Sequence, residues 1–509
     1  MPSHEIRGDI KMGRQIVLCF DGTGNTFRTD GTDTNVLRIC RMLEKTDEQC
    51  KLGPSLLYTE AGIGTDITPG SLASGTIQKK GKLSNNKALN LALGTSFDRH
   101  VLGGYRFLMR HYQEGTKVFI FGFSRGAYTA RFLNEMLDYV GLLGPDNEEV
   151  VPFIWDAWVT WKLGRSGIDK AAKQKAFHIM KESREILSRP MARVHFLGMF
   201  DAVNSIADFE VSSEGMTSSK IIRHAVSIDE RRIKFRPVLL HSRKEDWIWK
   251  TQPDEQKTGE EAKSNDSQRT TGPPVLPEIP DISPASRAQA TMQNEEDDEG
   301  TQDVEEMWFP GGHADIGGGW NLGDKEEWPL THAPLVWMVQ EAQRAGLRLD
   351  KRKMVQHNCI ADFNSDFEEL EGEERHAPEP ESSPSYKKYL EALQVAGTKG
   401  YIHDLLSYGS GLPLASVLSW RLMEYLPLRR MEPQPDGVWK AVRWPPPRGR
   451  ARDIPVNARI HVSAIQRMKS DPTYRPVNLK FGSGDASGIG NWVIHAHEGD
   501  PVRERYVRG

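Results

Sequence analysis

The sequence predicts an α/β protein: a mostly parallel sheet flanked by helices, with disordered insertions and a mainly helical or irregular C-terminal region. Two short runs, 15–20 and 118–123, are almost continuously apolar, the mark of strands buried on both faces. Between them, residues 34–43 and 95–112 carry apolar side chains at helical spacing. Strand and helix therefore alternate, which calls for parallel strands joined by right-handed crossovers. The third observation is Gly122-Phe123-Ser124-Arg125-Gly126, set between the second run and a helical pattern through Ala127, Ala130, Leu133 and Leu137.

That five-residue pattern has the order of parts a nucleophile elbow needs. The serine sits on a strained strand-to-helix turn, so the residues two positions away on either side must be tiny. The Arg125 backbone N–H, at a helix N-terminus, then points toward where an oxyanion would form. A chance Gly-x-Ser-x-Gly in a surface loop would lack the flanking strand and helix.

Composition narrows the function classes. The 509 residues can bury a large core. The net charge of −4 gives no electrostatic case for nucleic acid or an anionic membrane. Cys19, Cys40, Cys50 and Cys359 form no Cys-x-x-Cys pair, which predicts reduced thiols and a cytoplasmic setting. The first residues lack an apolar signal-peptide core, and no apolar run reaches the length of a membrane span.

The first strand runs into Asp21-Gly22-Thr23-Gly24-Asn25, a small, polar loop at the strand edge where open α/β sheets bind ligands. Gly22, Thr23, Gly24 and Asn25 are candidates for the second half of an oxyanion hole. Asp21 could equally begin a metal or phosphate loop, or cap a turn. The absence of Gly-Lys-Ser/Thr excludes a P-loop. A second strand is expected at 55–59. The aromatic-rich stretch 153–161 reads as core or cap packing.

Residues 194–203 read as a strand ending in Asp201, the slot for an acid that orients a histidine; capping of the next turn is the other reading, and Asp208 is a competitor. The charged stretch Ser227–Arg232 is expected to make local ion pairs, and 235–240 to form a strand. Met307-Trp308-Phe309-Pro310-Gly311-Gly312-His313-Ala314-Asp315 delivers His313 on a glycine-rich loop. The order Ser124, Asp201, His313 is that of an α/β-hydrolase, with His313 as general base and His461 in reserve. Asp315 is a candidate, with Asp21, to line the site.

The expected units are a catalytic domain at 14–345, interrupted by a disordered acidic and Pro-rich insertion at 252–303; a helical cap region at 346–479 with an acidic loop at 362–385; and a flexible tail at 480–509. Within the cap region, the apolar stretch 417–426 and the arginines and tryptophans after it suit either a lid that meets lipid or, preferred, a helical layer packed on the domain.

With the Asp21–Asn25, Gly122–Arg131 and Phe309–Gly319 segments read, the chain resembles an α/β-hydrolase family of fungi and bacteria whose bacterial members include type VI secretion phospholipase effectors. The resemblance spans roughly Arg14 to Ala345. It implies a Ser-Asp-His triad on Ser124, Asp201 and His313, and lipid or phospholipid esters as substrates. Where related chains often carry Trp-Asp-Thr, this one has Phe200-Asp201-Ala202. The composition looks like that of a fungal intracellular member rather than a delivered toxin. The expected activity is serine ester hydrolysis without metal or cofactor, with no nucleic-acid partner and at most transient membrane contact. The rival readings are a catalytically silent α/β scaffold acting as a binding module, and a metal-assisted hydrolase using Asp21 and Asp315.

Overall fold

The computed structural model describes residues 13–22, 32–44, 55–60, 86–163, 170–203, 217–240, 302–320, 326–361, 383–409, 412–427, 430–433, 439–480 and 489–509. In chain order the strands are β1 (Gln15–Phe20), β2 (Ser55–Glu60), β3 (Lys117–Phe123), β4 (Leu142–Leu143), β5 (Ser188–Arg189), β6 (Phe196–Phe200), β7 (Ile221–Ser227), β8 (Asp303–Phe309), β9 (Arg430–Pro433), β10 (Trp439–Val442), β11 (Arg459–His461), β12 (Trp492–Ala496) and β13 (Arg505–Arg508). Among the described residues, nine of these form one sheet in the order β12-β13-β11-β8-β7-β6-β3-β1-β2. Every pairing from β2 across to β11 is parallel, and β13 and β12 close the far edge antiparallel.

The alternation of side chains explains why β1 and β3 are almost continuously apolar. Ile16, Leu18 and Phe20 point to one face, into a core shared with the helices Asn86–His111, Arg125–Val140 and Val151–Leu163. Val17 and Cys19 point to the other, toward the helices Asn35–Met42 and His332–Arg344. With both faces covered, no position of β1 is left for a polar outward residue. The aromatic-rich stretch lies on Val151–Leu163, where Trp155 and Trp158 meet the Phe132 ring at 5.6 and 5.7 Å, so the packing reading holds.

Several expectations need correction. The strand expected at 235–240 is instead a short 3-10 turn, Ile233–Phe235, followed by extended chain with one isolated bridge, Val203 to Pro237. The strand is β7, whose Arg223 and His224 break the apolar pattern. Arg223 is buried between Glu341 (2.7 Å) and Asp303 (2.6 Å), and His224 faces Glu306 (3.0 Å). Of the segment 252–303, Gln302 and Asp303 are ordered and Asp303 opens β8; residues 252–301 lie outside the described residues, as do 362–382 of the second acidic loop. The helix after that loop begins at Pro384, capped by Ser383.

The largest correction concerns the C-terminus. The stretch 480–509 was expected to be loose, yet β12 and β13 complete the sheet. Trp492 and Tyr506 are buried in a cluster with Trp308 and Ile460, and Arg505 pairs with Glu305 of β8. Nor is 346–479 a layer laid on a finished domain, since β11 pairs in parallel with β8. The helix Leu414–Glu424 is no packed layer either: only Val417 and Glu424 are buried.

Candidate active site

Ser124, Asp201 and His313 follow the C-terminal ends of β3, β6 and β8, and Asp21 follows that of β1, so one sheet edge collects all four. Strand pairing sets the spacing. Phe123 is opposite Phe200, Phe200 opposite Ala225, and Ser227 opposite Phe309.

The turn at Ser124 has φ 59° and ψ −125°, a conformation that L residues rarely adopt and that costs on the order of 1–3 kcal/mol. Close packing maintains it. A Cβ on Gly126 would stand 2.2 Å from the Phe20 carbonyl oxygen, and one on Gly122 would stand 2.5 Å from the Ala127 Cα. Both glycines are therefore required by contact, as the elbow pattern predicts. The Gly126 contact also shows that the end of β1, with Asp21, lies against the elbow. Asp201 has a positive φ as well, 41°, so two of the three site residues sit at strained turns.

The side chains form a continuous hydrogen-bonded relay. The Ser124 hydroxyl lies 2.8 Å from His313 Nε2, and His313 Nδ1 lies 2.6 Å from Asp201 Oδ2. Chemistry orders the protons: Nδ1–H donates to the carboxylate, leaving Nε2 to accept from Oγ–H. All three residues are buried. The His313 ring sits between the Phe123 and Phe235 rings, at 4.9 and 4.7 Å. Burial pushes its pKa below the ordinary histidine value, against the pull of Asp201. For Asp201, burial resists ionisation, but the Arg452 guanidinium and the His313 hydrogen bond outweigh it and hold the carboxyl far below the usual range.

Other residues fasten this arrangement. Ser227 donates its N–H to Asp201 Oδ1 (3.0 Å) and its hydroxyl to the Gly311 carbonyl (2.8 Å), which ties the acid to the His313 loop. His313 opens the short helix His313–Gly317, and its N–H donates to Glu230 Oε2 at 3.2 Å. Glu230 is buried with Arg232, which donates to both its oxygens at 2.9 and 2.8 Å and holds its pKa down at about 2 despite burial. This is the local ion pair expected in 227–232. Arg452 donates to both Asp201 oxygens, at 2.6 and 2.8 Å. The sequence expected a local ion pair at 227–232 but did not place Ser227, Glu230, Arg232, Phe235 or Arg452 at the site. The acidic and basic residues at 229–232 offered a faint signal; Arg452, among several arginines, offered none.

The remaining candidates divide. Arg125 opens its helix, so its N–H belongs to the first turn, where helix geometry provides no partner. Gly22 needs correction as an oxyanion donor: its N–H donates to Asp21 Oδ1 at 2.6 Å and is occupied. Thr23, Gly24 and Asn25 lie outside the described residues, as does Asp208. Asp21 also accepts from the Thr34 hydroxyl (3.0 Å). Asp315 is a clamp under the His313 loop. It accepts from the Gly312 N–H (2.8 Å) and His403 N–H (2.9 Å) and pairs with His403 Nδ1 (2.6 Å). His461 is no alternative base. Its Nδ1 accepts from the Ser463 N–H (3.1 Å), its Nε2 meets the Val502 carbonyl (3.0 Å), and burial pushes its pKa down to about 4. Among the described residues no group of three or more His, Cys, Asp or Glu is gathered to hold a metal ion.

A mostly parallel sheet flanked by helices, with Ser124 on a strained strand-to-helix turn at its C-terminal edge, is α/β-hydrolase-like. The sequence profile described as "T6SS, Phospholipase effector Tle1-like, catalytic domain" matches residues 14–341, and the chain belongs to that family. An uncharacterised protein of Saccharomyces cerevisiae, YEL023C, is 25% identical over 567 aligned residues, covering 92% of this chain and 80% of the relative. Among solved structures, an uncharacterised protein from Pseudomonas aeruginosa aligns at 17% identity and TM-score 0.33, covering 80% of this chain and 56% of that one. The Tle1 effector bound to the VgrG spike of the type 6 secretion system aligns at 14% identity and TM-score 0.26, covering 63% and 56%. The chain thus spans a little over half the length of these solved relatives.

Proposed function

We propose that the protein is a serine hydrolase that cleaves carboxylic esters of lipids, phospholipids first among them, through Ser124, His313 and Asp201. The observation that carries this reading is the unbroken relay of 2.8 and 2.6 Å at the C-terminal edge of the sheet. His313 Nε2 takes the Ser124 proton as Oγ attacks the ester carbonyl. The Arg125 N–H holds the oxyanion, together with a donor from Thr23, Gly24 or Asn25, since Gly22 is occupied. His313 then gives its proton to the departing alcohol, and water releases the acyl group by the same steps in reverse. Asp201 stays ionised throughout and steadies the imidazolium.

Family membership supports a lipid substrate in general. A feature near the site supports a lipid surface as its source. On the helix Leu414–Glu424, Leu414, Leu418 and Leu422 recur every fourth residue and are 67%, 56% and 65% exposed. Tyr425 and Trp444 are exposed as well, and so are Arg421, Arg443, Arg448 and Arg450, a composition suited to anionic headgroups around an apolar insertion. From the same helix Trp420 meets Phe235 (5.6 Å), which in turn meets the His313 ring. Among the described residues no helix is long and apolar enough to cross a membrane, so contact would be peripheral.

A fluorophosphonate probe tests the chemistry. Wild-type protein should label, and Ser124→Ala should lose the label while keeping its fold. A folded wild type that resists the probe would favour the silent scaffold; loss of turnover on chelation, with labelling intact, would favour the metal-assisted route.

A further inference from the structure

The acid of the relay has an ionic partner from a distant stretch of chain. Arg452 donates from Nη1 to Asp201 Oδ1 at 2.6 Å and from Nη2 to Oδ2 at 2.8 Å, a bidentate pair in which both side chains are buried. The same two nitrogens also reach the Ser227 carbonyl (3.1 Å) and the Phe235 carbonyl. Arg452 lies beyond residues 14–341, the part of the chain that the family profile covers. We infer that Arg452 is a positioning residue that tunes His313 by holding both oxygens of Asp201. This rests on the proposed role of Ser124 as nucleophile.

The physical argument concerns competition for one carboxylate. Asp201 Oδ2 accepts from His313 Nδ1 and from Arg452 Nη2 at once. A carboxylate free of Arg452 would direct its whole charge at the imidazole and favour the imidazolium. Held by a guanidinium, it still fixes the ring and its tautomer, but it stabilises the imidazolium less. The neutral imidazole, the form that can take the serine proton, then persists to lower pH. The other charges around the ring are Glu230, on the His313 N–H, and its partner Arg232, of opposite sign. Asp315, on the same short helix, is occupied by His403. Arg452 is the cation that shares the Asp201 carboxylate directly with His313. The His313 pKa lies below its ordinary value chiefly because the ring is buried, so the Arg452 contribution is read from the variants and not from that direction.

The geometry also assigns the C-terminal region a part in the chemistry. Glu424, at the end of the lipid-facing helix, accepts from the Ile233 N–H (2.7 Å) and the Gly449 N–H (3.2 Å). That carboxylate fastens the 230–235 segment to the segment that carries Arg452.

The test is the pH dependence of fluorophosphonate labelling, which reads the state of His313 without substrate binding, in the full-length chain. In Arg452→Met the acid limb should move to higher pH by about 0.5–1 unit. In Arg452→Lys, which keeps a charge but loses the bidentate fit, the shift should be smaller and in the same direction. Melting temperatures are recorded in parallel. Should Arg452→Met fail to fold, Arg452→Lys decides. Acid limbs that coincide with wild type, or that move to lower pH, would overturn the inference and leave Arg452 a structural ion pair. Labelling that survives Ser124→Ala would instead overturn the reading of the site itself, so the two failures are distinguishable.

Discussion

Ser124 and Asp201 stand at the ends of adjacent strands, yet their surroundings hold them by different means. Around Ser124 the constraint is steric. Gly122 and Gly126 let the backbone of the elbow approach Ala127 and the end of β1, and the strained φ persists because those contacts leave no alternative. Around Asp201 the constraint is electrostatic and long-range. Its oxygens are held by Ser227, His313 and Arg452, the last from 251 residues away. The steric device shows in the sequence as two glycines at fixed offsets from Ser124, although one of its walls is the end of β1. An electrostatic one needs only a cation that the fold carries to the right place.

The largest expected effect tests whether the relay as a whole is the reactive unit. His313→Ala should lower kcat on a soluble ester by about 10⁴-fold or more, close to the loss from Ser124→Ala, because the pair acts together. His461→Ala should lower the melting temperature, since it breaks the Ser463 and Val502 contacts, while the surviving folded protein still labels at Ser124. Retained turnover in His313→Ala would break the comparison at its root.

The same contrast explains what could be read in the sequence. The turn at Ser124, the His313 loop and the strands β1, β3 and β6 were legible because short-range patterns encode them: an apolar run, two glycines at fixed offsets, a histidine after a strand. β7 was not, because Arg223 and His224 interrupt its apolar pattern. Only the fold shows that Glu341, Asp303 and Glu306 satisfy them. The terminal strands were hidden for a related reason. In Trp492–Ala496 only Trp492 is buried and in Arg505–Arg508 only Tyr506, so neither has the continuous apolar signature of a central strand. Arg452 was invisible because a buried arginine and an exposed one are the same letter.

The next effect down probes the ionic fastening of the sheet's far half. Arg223, Glu341, Glu305, Arg503 and Arg505 form a network that links β7, β8, the helix His332–Arg344 and the C-terminal strand. Arg223→Met leaves two buried carboxylates short of a partner and should cost about 3–5 kcal/mol in urea unfolding. A loss below about 1 kcal/mol would show that Arg503, Arg505 and Arg344 compensate. In that case the electrostatic half would be more redundant than the steric half.

A smaller effect follows from Glu230, which belongs to both halves: a charge, but one fixed to the His313 backbone. Its folded pKa of about 2 lies below the unfolded value of about 4.3. A depressed carboxylate contributes stability that is fully present above the unfolded value and is lost as pH falls through the folded one. Stability should therefore fall as the pH drops from about 4.3 through 2, by about 3 kcal/mol in all from this residue. In Glu230→Gln that window should flatten, with a lower stability at neutral pH because Arg232 loses its partner. An unchanged acid slope would mean that Arg232 turns to solvent and that the pair does not bind the loop.

The smallest effect concerns the exposed leucine stripe of the helix Leu414–Glu424, whose other residues reach the site through Trp420 on Phe235 and through Glu424. An exposed leucine in water contributes little to folding, so Leu418→Asp should leave the melting temperature within about one degree of wild type. At a lipid surface the same change removes an apolar anchor and adds a charge that anionic headgroups repel. Turnover on anionic vesicles should fall about tenfold, corresponding to about 1.4 kcal/mol of lost binding, while turnover on a soluble short-chain ester stays at the wild-type value. Leu422→Asp should behave alike, since both side chains lie on one side of the helix. If the two substrates lose activity in parallel, the helix acts by supporting Phe235 over His313, and the apolar stripe would have to serve something other than a membrane.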